Sequence, residues 1–151
     1  MRLSHTLFSV LLISFTSIQA IADPLWLATP EETRESNNSK PPFIAKVVPP
    51  LDAPTIEVVA PKLDGPIGSP TPIVLKFTPK APATVKPESF KAYYGSFQID
   101  ITGRLLGIAQ VTPHGINLKE ASLPKGGHTI TIYVQDSEGR LGSKTITFEI
   151  N

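Results

Sequence analysis

Apolar and polar residues alternate most regularly near the C-terminus. Ile130, Ile132 and Val134 interleave with Thr129, Thr131 and Tyr133; further on, Ile146, Phe148 and Ile150 interleave with Thr145, Thr147 and Glu149. A period of two in β-branched and aromatic residues describes strands with one buried face. The connector Asp136-Ser137-Glu138-Gly139-Arg140 contains a glycine able to take positive φ, so residues 127–150 are predicted to form a hairpin. A lone hairpin is marginal in water, and its apolar face demands a second layer.

Upstream residues provide that layer. Ile56 to Ala60 is a short strand closed by Pro61, and a proline there suits a sheet edge. Ile73, Leu75 and Phe77 share one face of the next strand, and Phe90 to Tyr94 forms another. A further strand is expected from Phe97 to Ile101, pointing Phe97, Ile99 and Ile101 the same way. Thr102 is placed to cap and start one helical turn. A short strand is expected from Ile108 to Val111, and the extended pattern resumes from Ile116 to Leu123. Gly- and Pro-containing turns separate these segments roughly every 8–12 residues. Seven or eight short strands with little helix predict one all-β domain over residues 55–151, an antiparallel two-sheet sandwich.

Residues 23–54 differ in kind, being rich in Pro, Ser, Asn and Glu. Thr29-Pro30-Glu31-Glu32 matches a helix start, with an N-cap, a first-turn proline and a glutamate three residues after the cap. Residues 33–40 hold no apolar stripe for such a helix to bury, so no stable helix is expected beyond one turn. Pro41, Pro42, Pro49, Pro50 and Pro54 favour extended backbone. The stretch therefore reads as a Pro-rich flexible arm. Its two aromatic residues, Trp26 and Phe43, either cover the domain loosely or anchor the arm in a partner's pocket.

The segment from Leu123 to Arg140, with its Gly126-Gly127 loop, His128-Thr129-aliphatic strand and Asp136-x-x-Gly139 turn, resembles the last two strands of bacterial immunoglobulin-like and fibronectin type III-like domains. Residues 55–151 are compatible with one whole copy. The resemblance implies an exported spacer or adhesion module without catalytic residues, in a disulfide-free version of the sandwich. The departure from that pattern is that one such domain is expected to stand almost alone, behind a short arm, with no second module.

The first 22 residues fit an export signal: basic Arg2, an apolar run from Leu7 to Ile18, and small residues Ala20 and Ala22 before an expected cleavage at Asp23. The run is short and rich in Ser and Thr, which disfavours a membrane anchor. With no cysteine, disulfides, thiolate metal sites, a cysteine nucleophile and lipidation at cysteine are excluded. A small exported domain lacking disulfides suggests a bacterial periplasmic or secreted setting. Of 14 Lys and Arg, one is lost with the signal, leaving 13 against 13 Asp and Glu. That neutral, unclustered balance disfavours nucleic acid and anionic membrane as partners.

Candidate chemistry is sparse. His114 and His128 have no ligand partner at metal-site spacing, and His128 is expected to bond a loop carbonyl at the end of the sandwich. Asp136 and Glu138 lack the oxygen-rich loop that calcium requires; Asp136 instead suits a turn, accepting from N–H groups just downstream. Asp100 points outward by parity and has Arg104 and Arg140 as candidate partners. No Gly-x-Ser-x-Gly elbow and no phosphate-cradling loop occur. Neither a catalytic residue nor a cofactor is therefore assigned. The expected function is non-enzymatic binding or assembly through contacts with an envelope or surface protein, by strand addition at a sheet edge or by docking through Trp26 or Phe43. The alternative is polysaccharide binding on Tyr93, Tyr94 and Tyr133.

Overall fold

The computed structural model describes residues 25–40 and 49–151. The expected signal peptide and Phe43 lie outside the described residues. Eight strands form two antiparallel four-stranded sheets that pack face to face. The first sheet runs β1 (Thr55–Ala60), β2 (Thr71–Thr78), β6 (Gly115–Ala121), β5 (Val111–Thr112). The second runs β4 (Ile99–Asp100), β3 (Val85–Tyr94), β7 (Gly126–Asp136), β8 (Leu141–Ile150). Every ladder pair is antiparallel, and β7 and β8 form the C-terminal hairpin with Ile130 opposite Ile146.

The alternating sets meet between the sheets. Ile73, Leu75 and Phe77 of β2 and Ile116 and Leu118 of β6 face Phe90 of β3 and Ile130, Ile132, Val134 and Ile146 of the hairpin, all buried. The Phe77 and Phe90 rings lie 6.4 Å apart across the two layers. Each such side chain, fully buried, contributes roughly 1.5–3 kcal/mol. The centre of the core therefore comes from residues whose alternation predicted it, and Leu27, Ala28, Tyr94 and Leu105 add to it from outside that pattern.

Several local expectations are corrected. The strand from Phe97 to Ile101 contracts to Ile99–Asp100, because Gln98 takes φ 53° in the turn after β3; Phe97 is exposed and Ile101 is buried. Helix α2 spans Thr102–Ile108, more than the single expected turn, and Ile108 ends it rather than starting a strand. Thr102 is not its cap: its hydroxyl is buried and accepts from the Ala92 N–H at 3.0 Å. Asp100 pairs with neither arginine, and its carboxylate accepts from the Thr102 N–H at 2.8 Å.

The described part of the expected arm is ordered differently. Helix α1 spans Pro30–Asn38, and Leu27 and Ala28 just before it are fully buried. The Thr29 hydroxyl accepts from Glu32 N–H at 3.2 Å while the Glu32 carboxylate accepts from Thr29 N–H at 2.8 Å. This capping box starts the helix as its sequence predicts. The helix persists because polar side chains tie it to the sandwich in place of an apolar stripe.

Candidate ligand-binding face

Glu32, Thr33 and Ser36 lie at helical spacing on one side of α1, and each meets the sandwich. Arg104 of α2 grips Glu32 through two bonds of 2.7 Å and donates a third to the Leu27 carbonyl at 3.1 Å. The Arg104 guanidinium holds the Glu32 carboxyl at about 2, against the pull of burial. The Ser36 hydroxyl accepts from Ser96 N–H at 3.1 Å, and its carbonyl accepts from the Ser96 hydroxyl at the same distance. Gly95, at φ 68°, makes room for this contact: a Cβ there meets Ser36 Oγ at 2.5 Å.

Between α1 and β7 the Tyr94 hydroxyl lies 2.9 Å from both Thr33 Oγ1 and His128 Nδ1. His128 Nε2 lies 2.8 Å from the Pro124 carbonyl, which only accepts, so Nε2 carries a proton and neutral His128 accepts from Tyr94 at Nδ1. Burial pushes the His128 pKa down and the Tyr94 pKa up. The loop carbonyl expected for His128 is thus Pro124.

Of the five aromatic candidates, this arrangement removes two. Tyr94 has no exposed surface, so it is not a surface tyrosine. Its parity with inward-facing Phe90 and Ala92 carried that signal already. Trp26 is not a free anchor: it is half-buried in a parallel bridge to Ser122, and Leu27 N–H donates to the Ser122 carbonyl at 3.0 Å.

The structure does bring Tyr93 and Tyr133 together. Both are half-buried on the outer face of the second sheet. Lys91 stands opposite Tyr133 in the β3–β7 register, which makes Tyr93 the diagonal neighbour of Tyr133. Their ring centroids are 5.9 Å apart at 74°, edge to face. With Ser89, Lys91, Gln98, Gln135 and Leu141 they line a shallow depression of about 570 Å³. A register shift in β3 between Lys86 and Lys91 shapes one wall, and the Ser89 hydroxyl patches the broken ladder by accepting from Gln135 N–H at 2.7 Å. Beside the depression run rows of hydroxyls: Thr131 meets Thr145 at 3.2 Å, Thr129 meets Thr147 at 3.5 Å, and Ser143 stands opposite Tyr133. Alternation with Ile132 and Val134 placed Tyr133 outward, but only the pairing register made Tyr93 its neighbour.

Of the sheet edges, β8 is ten residues long and laddered only to β7. Its ends are covered. Pro54 packs on Gly142, where a Cβ would sit 2.1 Å from the Pro54 carbonyl oxygen, and Ile67 bridges Ile150. Lys144 shares the inward parity of Ile146 yet is exposed, and a charge at an inward position of an edge strand blocks further pairing. Thr145 to Glu149 remain without such cover.

Elsewhere the polar groups serve turns. Asp136 accepts from the N–H groups of Glu138 and Arg140 at 3.0 and 2.9 Å, and from Arg140 Nε at 2.7 Å. Burial raises the Asp136 pKa, but these bonds outweigh it and hold the carboxyl below its ordinary value. His114 is exposed in its turn, far in role from His128. Among the described residues, no three or more His, Asp or Glu side chains group as metal ligands.

No protein-family model matches the chain, and no curated protein matches it. Among solved structures it is similar to CopC from Methylosinus trichosporium OB3b, with 15% identity, a TM-score of 0.43, and coverage of 64% of this chain and 93% of that one.

Proposed function

We propose that this chain is an exported, non-enzymatic binding module of the bacterial envelope, an immunoglobulin-like sandwich that takes its ligand on the outer face of the β4-β3-β7-β8 sheet. The strand order supports the immunoglobulin-like assignment. With strands lettered in chain order as A, B, C, C′, D, E, F and G, the first sheet is A-B-E-D and the second C′-C-F-G. The observation that carries the binding site is the Tyr93–Tyr133 pair, the two candidate aromatics that share one solvent-facing depression. Export rests on the layout of residues 1–22.

A second reading is a protein partner that adds a strand to β8, favoured by the uncovered edge from Thr145 to Glu149. Binding of purified protein to isolated cell-envelope fractions separates the two. The face reading expects binding to be lost in Tyr93→Ala/Tyr133→Ala and kept in Glu149→Pro, which removes an N–H from the β8 edge strand outside the hydroxyl row. The reverse pattern sinks the face and favours the edge.

A further inference from the structure

We infer that the ligand of the Tyr93–Tyr133 face is a neutral polysaccharide. This rests on the reading of that face as the binding surface and names the class of molecule it takes. Its charge is close to balanced where the ligand would lie. Lys91 is the cation in the depression, and Asp100 of β4 stands opposite Tyr93, close enough for Lys91 to lower its pKa behind the larger effect of the Thr102 bonds. Outward positions of β7 from Thr129 to Gln135 carry no charge at all, and on β8 the outward row Ser143, Thr145, Thr147 stays uncharged until Glu149. A surface of this kind offers an anionic polymer little attraction.

Its polar groups suit hydroxyl-rich chains. The threonine and serine hydroxyls and the Gln135 amide both donate and accept, as a sugar's hydroxyls do. The two tyrosines supply the apolar complement. With one ring edge-on to the other, they form a step whose π-face can lie against the C–H side of a pyranose. The depression is shallow and open rather than enclosed, so a polymer can pass along it, whereas a small ligand would lose little of its water there. A protein partner fits less well. Interface centres are rich in aromatic, Met and Arg side chains and poor in serine, and here Tyr93, Tyr133 and Leu141 are the only apolar bodies lining the depression among the described residues.

The test is native affinity electrophoresis of the full purified protein in gels containing soluble neutral polysaccharides (a β-glucan, a xylan, dextran), with alginate as the anionic arm. The expected result is retardation by at least one neutral polymer, insensitive to added salt, and weakened about tenfold or more in Tyr133→Ala. Ser143→Arg, opposite Tyr133, is expected to do the same by obstructing the face while leaving both rings in place. Lys76→Ala, on the other sheet, is expected to leave retardation unchanged. Retardation by none of the neutral polymers overturns the inference, as does retardation by alginate alone or retardation that both face variants leave intact. If the face variants abolish envelope binding while no neutral polysaccharide binds, the ligand class falls and the face stands. If envelope binding survives in both face variants, the face falls as well.

Discussion

The contact between Glu32 and Arg104 joins α1 to the sandwich, and its removal is expected to loosen the N-terminal segment before the core. Glu32→Gln keeps the length of the side chain and an oxygen to accept from Thr29 N–H, but loses the charge that Arg104 grips. The Glu32 carboxyl sits at about 2 against an ordinary 4.5. At about 1.4 kcal/mol per pH unit, that shift corresponds to roughly 3 kcal/mol. The Glu32 side chain keeps 19% of its surface and the Arg104 side chain 35%, so solvent screening trims the expected loss to about 1–2 kcal/mol. A carboxyl with a depressed folded value stabilises above about pH 4.5, and its contribution fades as the pH falls toward 2. Trp26, the single tryptophan, sits on this segment beside Ser122 and reports its docking through fluorescence. Urea unfolding followed by Trp26 emission, at pH 7 and in steps from 5 to 2, is the assay. Glu32→Gln is expected to undock at lower urea at pH 7 and to show a flatter acid decline than the parent. Superimposable curves for the two proteins across that range would refute the account of how α1 is held.

Three further outcomes follow from the same geometry. Tyr94→Phe leaves His128 Nδ1 without its donor while Thr33 keeps the Thr29 carbonyl, and is expected to cost about 1–3 kcal/mol by urea unfolding at pH 7. Because burial lowers the His128 pKa in the folded state, stability should fall as pH drops below about 6.5, where the unfolded chain takes up a proton that the folded chain resists. That slope should vanish in His128→Gln; a slope of equal size in the variant would assign it to another group. Lys144→Thr removes the inward-parity charge from the β8 edge and should produce concentration-dependent association in size-exclusion chromatography, whereas a strictly monomeric variant would show that Lys144 guards nothing.

Alternation along the strands was sufficient to place the sandwich. The β2, β6, β7 and β8 segments bury the side chains their period of two put on one side, because burying apolar surface is non-directional and needs only the right face. The Asp136 turn and the loop carbonyl for His128 were also legible, since both involve partners within four residues. Helix α1 was missed for a physical reason. It docks through Glu32, Thr33 and Ser36, and a polar stripe registers as solvent-facing in any hydropathy reading until its partners are known. Those partners lie 60 to 72 residues away at Tyr94, Ser96 and Arg104.

By itself the amino-acid sequence determined that two pleated layers form and which residues fill the space between them. The tertiary structure alone decided which polar groups meet: that Tyr94 turns inward to His128, that Trp26 is held against Ser122, and that Tyr93 and Tyr133 share a surface. Apolar residues satisfy one another in any close packing, so their pattern suffices. Hydrogen bonds and ring pairs depend on direction and on a separation of a few ångströms, and strand register and chain crossing set both.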